Sequence, residues 1–152
     1  MGIGKTTVSQ ILKRRLPACA FLDGDWCWDM DPFQVCEETK KMEIDNICYV
    51  LNNFLKCSVY ENVVFCWVMH EQSIIDEITA RLKTENVKVT IISLICSKES
   101  LIRHLQKDID AGIRTDDVIQ RSVNRLPFYV KLNTKKIDVS KLSVEQGADK
   151  II

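Results

Sequence analysis

The sequence lacks a net charge, because 21 lysines and arginines balance 21 aspartates and glutamates. That balance argues against bulk electrostatic binding to nucleic acid or to a membrane surface. No apolar run is as long as a bilayer span. The first residues do not resemble a signal peptide either, since Lys5, Thr6 and Thr7 follow at once. We therefore expect a cytoplasmic protein that binds neither nucleic acid nor membrane.

Paired cysteine motifs are missing too, although the chain has seven cysteines. The count is odd, no C-x-x-C occurs, and several cysteines stand inside apolar runs. These features disfavour a zinc site and favour small buried side chains in a reducing cytoplasm. Internal repeats, low-complexity segments and long linkers are likewise absent. The 152 residues, 46% hydrophobic and 28% charged, predict one globular domain.

The first seven residues carry the most informative motif. Gly4-Lys5-Thr6 matches the closing triplet of the phosphate-binding loop, or Walker A pattern, G-x-x-x-x-G-K-[ST]. In that loop, glycine lets backbone N–H groups turn around a polyphosphate, lysine adds a charge at the outer phosphates, and threonine is a ligand for Mg²⁺. A helix should begin at once, so that its N-terminal dipole faces the anion. A chance G-K-T in a turn is the alternative.

The residues behind the triplet favour the phosphate-loop interpretation. A helix over residues 8–16 would place four apolar side chains on one stripe, namely Val8, Ile11, Leu12 and Leu16. The motif is nevertheless partial. Its first glycine would stand five residues before Gly4, and the strand that should precede the loop is also outside the sequence given.

The rest of the chain alternates apolar runs with amphipathic segments. Strands are predicted near residues 18–22, 63–69, 87–95 and 136–139, and further helices near 38–56, 71–84, 97–111, 115–126 and 143–151. Gly112 should stop the fourth helix, Thr115 should cap the fifth, and Ser143 with Gln146 has capping-box spacing. Such alternation predicts βαβ units and therefore an α/β fold with a parallel sheet between helical layers.

A phosphate loop that opens this alternation resembles the P-loop small-molecule kinases, which include nucleoside, shikimate, gluconate and adenylylsulfate kinases, and the bacterial AAA-family ATPases of similar size. The likeness covers almost all of residues 1–152 as a single kinase-like domain. It rests on Gly4–Thr7, Phe21–Asp25, the arginine-bearing segment 114–125 and the tail Ile137–Ser140. It implies a three-layer α/β/α P-loop NTPase fold, ATP and Mg²⁺ as cofactors, and a mobile lid at about residues 112–127.

The resemblance also implies roles for single residues. Lys5 would act on the phosphates in catalysis and Thr6 would hold Mg²⁺. Asp23 and Asp25 match an acidic residue that holds the acceptor hydroxyl or the metal in such kinases; Asp25 is the first choice to orient the acceptor and take its proton. A plain Asp-Gly-Asp turn is the alternative. The nucleotide would contact six residues: Gly2, Ile3, Gly4, Lys5, Thr6 and Thr7.

Arginines and aromatic residues provide further candidates. Arg121 and Arg125, ahead of Arg114, match lid arginines that close on the phosphates, although a solvated face paired with Asp116 and Asp117 is equally open. His104 stands where many relatives have an arginine near adenine. His70 is either an acceptor contact or structural. Trp26 and Trp28 flank the proposed acceptor pocket, where ring stacking and core packing are both open.

In this fold the strand before the loop lies in the middle of the sheet, with the order 2-3-1-4-5 by resemblance. Without it, two strands would keep unpaired edges, and each buried unsatisfied group costs about 1–3 kcal/mol against a total stability of about 5–15 kcal/mol. We therefore expect that the natural protein begins earlier, with Met1 inside a longer loop. The remaining strands should show an interruption between the second and the third.

The leading hypothesis is an ATP-dependent kinase that moves the γ-phosphoryl group in line to a small-molecule hydroxyl with Mg²⁺. One alternative is a nucleotide hydrolase or switch without an acceptor. The other is a truncated chain that no longer binds nucleotide and persists as an inactive fragment or interaction module. The neutral surface makes a monomer the expected state.

Overall fold

The computed structural model describes residues 2–152. Within them, helices and strands follow one another in the predicted order, with one additional 3-10 helix at Gly24–Trp28. The helices are α1 (Lys5–Arg15), α2 (Glu37–Lys56), α3 (Gln72–Arg81), α4 (Lys98–Asp110), α5 (Asp117–Lys131) and α6 (Val144–Asp149). The strands are β1 (Cys19–Asp23), β2 (Asn62–Cys66), β3 (Ile92–Ile95) and β4 (Lys135–Asp138).

The described chain forms two compact units, each with its own two-stranded sheet. The phosphate-loop unit contains residues 2–8, His70–Gln72 and Thr90–Ile152. The Asp25 unit contains Ser9–Met69 and Ser73–Val89. No strand of residues 2–152 pairs with both β2 and β3, so strand pairing is interrupted where the sequence predicts it.

In the Asp25 unit, β1 and β2 pair in parallel from Cys19 opposite Asn62 to Asp23 opposite Cys66. Helix α2 packs its apolar stripe against this pair, because its apolar residues recur at helical spacing. The buried core consists of Leu22, Ile44, Ile47, Cys48, Leu51 and Ile78. This packing brings the carboxyl end of β1 next to the middle of α2.

In the phosphate-loop unit, β3 and β4 pair in parallel from Ile92 opposite Lys135 to Ile95 opposite Asp138. Leu101 and Leu105 of α4 pack with Val118 of α5 in the buried core of this unit. The predicted capping box of α6 is confirmed: Ser143 Oγ accepts from the backbone N–H of Gln146, whose side chain accepts from the backbone N–H of Ser143.

Four expectations about these elements were wrong. Thr115 was predicted to cap the fifth helix, but the N-cap of α5 is Asp116, which makes no side-chain cap hydrogen bond. The third strand was predicted over residues 87–95 but is limited to Ile92–Ile95. The fifth helix was predicted to stop at residue 126, but α5 continues through Pro127 to Lys131, since a proline removes one helical hydrogen bond without forbidding the turns that follow. Val144, predicted to face inward, is 37% exposed, whereas Ala148 is fully buried.

Two further findings concern the chain as a whole. All seven cysteines are free; Cys48 and Cys66 are buried as expected, whereas Cys36 is exposed and the other four are half-buried. Of the helices in residues 2–152, none has the length and apolar character needed to cross a membrane.

Candidate functional site

The glycines of the phosphate loop adopt the backbone conformation that such a loop requires. Gly2 has φ +71° and Gly4 has φ +84°, in the left-handed region where glycine is favoured. Helix α1 begins directly afterwards at Lys5, and Gly4 O accepts a hydrogen bond from Val8 N at 2.9 Å. The first turn of α1 contains no acidic residue, so nothing on that turn opposes an anion at the positive end of the helix.

Gly2 is also required by close packing. A Cβ at this position would lie 2.3 Å from Cδ2 of Leu105, a fully buried side chain of α4. The loop therefore rests directly on the core of the phosphate-loop unit. The core of this unit therefore constrains the loop at Gly2.

The phosphate loop offers Mg²⁺ one protein ligand, the hydroxyl of Thr6. Thr6 is exposed on the first turn of α1, beside the half-buried Lys5. Among residues 2–152, no group of three or more histidine, cysteine or acidic side chains could hold a metal ion. Mg²⁺ is commonly held by one or two protein oxygens together with substrate phosphates and waters, so a single threonine hydroxyl suits that role.

The Asp-Gly-Asp segment forms the start of a 3-10 helix at the carboxyl end of β1. Asp23 is 5% exposed, and its Oδ1 accepts a hydrogen bond from Asp25 N at 3.2 Å. Cys66 Sγ, at the end of β2, donates to Asp23 Oδ2 at 3.4 Å. Asp23 therefore shapes the turn from inside, while Asp25 lies exposed on it. Carboxyl ends of parallel strands are where ligands gather in α/β proteins.

Gly24 and the tryptophans define the surroundings of Asp25. A Cβ on Gly24 would lie 2.4 Å from Cγ of Trp67, so only glycine fits between the turn and that ring. Trp26 is 59% exposed and meets Phe21 edge-on, with ring centroids 5.3 Å apart. Core packing is therefore the wrong interpretation for Trp26. Trp28 contacts Phe33 edge-on at 5.0 Å.

Glu43 is the residue that sequence reasoning missed. It is 1% exposed on α2, and its Oε1 has no hydrogen-bond partner in the described part of the chain. Burial, assisted by the negative charge of Asp25, raises the pKa of Glu43 to about 8. Glu43 also helps to raise the pKa of the Cys27 thiol, where burial is the larger cause. The available signal was a carboxyl on the apolar stripe of α2, four residues before Ile47.

The predicted lid arginines differ in their surroundings. Arg121 Nη2 lies 3.5 Å from Asp117 Oδ2 on an exposed face, which is the solvated pairing that the sequence left open. Arg114 pairs with Asp108 at 2.9 Å instead of with Asp116 or Asp117. Arg125 is close enough to His70 for its charge to matter electrostatically.

His70 is held within the phosphate-loop unit. Its ring packs edge-on against Phe128 of α5, with centroids 6.2 Å apart, and its Nδ1 is buried without a hydrogen-bond partner among residues 2–152. Burial, and then the positive charge of Arg125, lowers the pKa of His70. These contacts provide a structural role for His70 that does not require an acceptor.

The predicted tail loop is closed by its own hydrogen bonds. Ser140 N donates to Asp138 Oδ1 at 2.8 Å, and Ser140 Oγ accepts from Ser97 N at 2.8 Å. Ser100 Oγ donates to Ser140 O at 2.9 Å and accepts from Arg103 Nη2 at 2.9 Å. Arg103, the residue before His104, therefore contacts Ser100, which in turn contacts this loop.

The candidate residues fall into two groups. The phosphate-loop unit holds the nucleotide candidates Gly2–Thr7 together with Arg121, Arg125 and His70. The Asp25 unit holds the acceptor candidates Asp23, Asp25 and Trp26, together with the buried Glu43. The nucleotide candidates and the acceptor candidates therefore belong to different units.

Comparison with known proteins identifies the family and the fold. A family model described as AAA domain matches residues 1–122. The tunicamycin resistance protein of Deinococcus radiodurans is similar in fold, with a TM-score of 0.74, 17% identity, and coverage of 99% of this chain and 87% of that one. A gluconokinase from Sinorhizobium meliloti 1021 has a TM-score of 0.65, 16% identity, and coverage of 99% and 88%.

The comparison with curated proteins found no match to this chain. The two structural likenesses are below 25% identity, so they support the fold, which is the α/β P-loop kinase fold expected from the sequence. The family model, by contrast, covers most of the chain from its first residue to the middle of α5. The protein is a nucleotide-binding P-loop protein that belongs to the AAA domain family.

Proposed function

We propose that this protein is an ATP-dependent small-molecule kinase that transfers the γ-phosphoryl group to an acceptor hydroxyl with Mg²⁺. The observation that carries the proposal is the geometry of the loop: two glycines with positive φ lead directly into a helix whose first turn has no acidic residue. That combination suits the binding of a polyphosphate.

The nucleotide half of the reaction would depend on the phosphate-loop unit. Backbone N–H groups of Gly2–Thr7 would bind the phosphates, and the Lys5 ammonium would offset the charge that develops on the transferred group. Thr6 would be the protein ligand of Mg²⁺, which when bound neutralises charge on the phosphates. Arg121 and Arg125 would add further positive charge from α5, although Arg121 must first leave its exposed partner Asp117.

The acceptor half would depend on the Asp25 unit. The exposed carboxylate of Asp25 would orient the acceptor hydroxyl and take its proton during transfer. Asp23 would support it by capping the 3-10 helix, and its own carboxylate remains a candidate for the acceptor or the metal. The exposed ring of Trp26 offers an apolar face on which a flat part of the acceptor could stack.

The proposal is tested by measuring ADP production with a panel of hydroxylated compounds, gluconate, shikimate and a set of nucleosides, with a no-acceptor reaction alongside. We expect at least one compound to raise the rate above that of ATP alone, and Asp25→Asn to abolish the increase. Asp29→Asn, an exposed aspartate just after the same 3-10 helix, is the matched control and should leave the increase intact. Equal phosphate release with and without every acceptor would instead favour a hydrolase.

A further inference from the structure

Helix α5 carries Arg125 and contains a proline two residues later. Pro127 has no backbone N–H, so the helical hydrogen bond from residue 127 to the carbonyl of Val123 is missing. A proline inside a helix is the usual place for its two halves to bend relative to each other. The direction of Arg125, which stands beside this weak point, therefore depends on what holds the helix on each side of it.

The half of α5 before Pro127 is held by the core that also supports the phosphate loop. Val118 packs with Leu101 and Leu105 of α4, and all three side chains are buried. Leu105 also lies directly against Gly2, where a Cβ would come within 2.3 Å of its Cδ2. This half of the helix is therefore attached, through one leucine, to the loop that would bind the phosphates.

The half of α5 after Pro127 is held by His70–Gln72, a segment of the same unit. Gln72 Oε1 accepts a hydrogen bond from the backbone nitrogen of Asn133, just beyond the end of α5, at 2.8 Å. The ring of His70 meets the ring of Phe128 edge-on, with centroids 6.2 Å apart. Since Phe128 and Asn133 stand at the two ends of the stretch that follows the proline, the two contacts together restrain that stretch.

Arg125 lies between these two attachments, three residues before Phe128 and on the same side of α5. We propose that Gln72 and His70 are positioning residues for Arg125: by holding the last part of α5, they fix the angle between its two halves and so the place of the guanidinium. The role in catalysis rests on the proposed function, in which Arg125 adds positive charge at the phosphates. The attachment itself does not. Both residues act through α5 and need no contact with the nucleotide.

The attachment is tested by NMR on the full chain, without substrate. The amide of Asn133 should exchange slowly with solvent in the wild type. Gln72→Leu keeps the volume without an acceptor and should speed this exchange about tenfold or more, whereas Gln72→Glu keeps an acceptor oxygen and should retain slow exchange. Gln120→Leu is the matched control, because Gln120 pairs with Asn124 on α5 itself, at 2.7 Å. Equal exchange in Gln72→Leu and the wild type would overturn the attachment.

The position of Arg125 is read from its own side-chain Nε–H signal, which is assigned by its loss in Arg125→Gln. We expect Gln72→Leu and His70→Ala to move this signal toward that of a solvent-exposed arginine. Gln72→Glu keeps the acceptor and His70→Phe keeps the ring, so both should leave the signal near its wild-type position. A signal that neither Gln72→Leu nor His70→Ala moves, or that Gln120→Leu moves as far, would overturn the proposal.

The effect on catalysis is tested with any acceptor of the panel that the wild-type protein phosphorylates. Gln72→Leu should lower kcat about tenfold with KM for the acceptor unchanged, and Gln72→Glu should restore most of the rate. In an Arg125→Gln background, Gln72→Leu should have no further effect, because the group that it positions is gone. Additive effects, or a loss that Gln72→Glu does not restore, would show that Gln72 does not act through Arg125.

Failure of this inference and failure of the proposed function are distinguishable. A wild-type chain that phosphorylates no acceptor, but whose Arg125 signal responds to Gln72→Leu, would refute the proposed function and retain the positioning of Arg125. An active kinase whose Arg125 signal does not respond would refute the inference and retain the proposed function.

Discussion

Asp23 Oδ1 lies 3.2 Å from the backbone nitrogen of Asp25 and accepts its hydrogen bond, so the first carboxylate of the Asp-Gly-Asp turn holds the backbone of the second aspartate. Replacing Asp23 by Ala removes this cap, and we expect the free energy of unfolding to fall by about 1 kcal/mol. Asp23→Asn keeps an oxygen acceptor and should cost less. Urea denaturation of both variants measures the difference; an equal loss in the two would show that the cap is not the cause.

Gly24 allows the turn to approach Trp67, because a Cβ there would come within 2.4 Å of the indole. We expect Gly24→Ala to lower the free energy of unfolding by about 1–3 kcal/mol, the usual cost of forcing an extra carbon into a packed site. Thermal denaturation provides the measurement.

Gly147→Ala is the matched control for that substitution. A Cβ at Gly147 would lie 3.5 Å from Val8 Cγ2, which is ordinary contact, and alanine favours the helix α6 in which it stands. We expect stability to be unchanged or slightly higher. If Gly24→Ala is tolerated as well as Gly147→Ala, then Trp67 does not constrain the turn.

Glu43 should make stability depend on pH. Between the ordinary value of 4.5 and about 8, the folded protein holds a proton on Glu43 that the unfolded chain has released. The free energy of unfolding therefore falls as pH rises through this window, by up to about 1.4 kcal/mol per pH unit, and the effect ends above the folded pKa. Urea denaturation from pH 5 to 9 should show this decline relative to Glu43→Gln. Parallel curves would contradict the raised pKa.

Arg125 should influence His70. Burial is the larger cause of the lowered pKa of His70 and the charge of Arg125 is the second, so Arg125→Gln should raise that pKa while leaving it below its ordinary value. Titration of the imidazole signals by NMR measures the change. Arg121→Gln removes a charge from the same helix at a site whose partner is Asp117, and we expect no change from it. Equal shifts in both variants would show that the effect is not local.

The order of elements was predictable because it depends on local patterns. Apolar runs and helical spacing are properties of short stretches, and each predicted element exists. The limits of β3 were not predictable in this way. The residues from Val87 to Ile91 are β-branched or polar as in a strand, but β4 supplies only Lys135–Asp138 as a ladder partner, and that length is set by a distant part of the chain.

The candidate site likewise contains residues that local sequence patterns predict and one residue that they do not. Lys5 and Thr6 belong to one short motif, and Asp23 and Asp25 belong to another. Each pair could be proposed from the sequence because its two residues stand close together in the chain. Glu43 stands eighteen residues after Asp25 by number, and only the packing of α2 against the 3-10 helix brings the two together. A carboxyl on an apolar stripe was the visible sign, but what it faces depends on tertiary structure.

The measurement that tests the account most directly is calorimetric titration of ATP with Mg²⁺ into the wild-type chain and into Lys5→Ala. Lys13→Ala, which removes a lysine near the far end of the same helix, is the control. We predict micromolar binding by the wild-type and control chains, weakened at least about tenfold in Lys5→Ala. Absence of binding by the wild-type chain, or equal binding by Lys5→Ala, would contradict a working phosphate site at Gly2–Thr7.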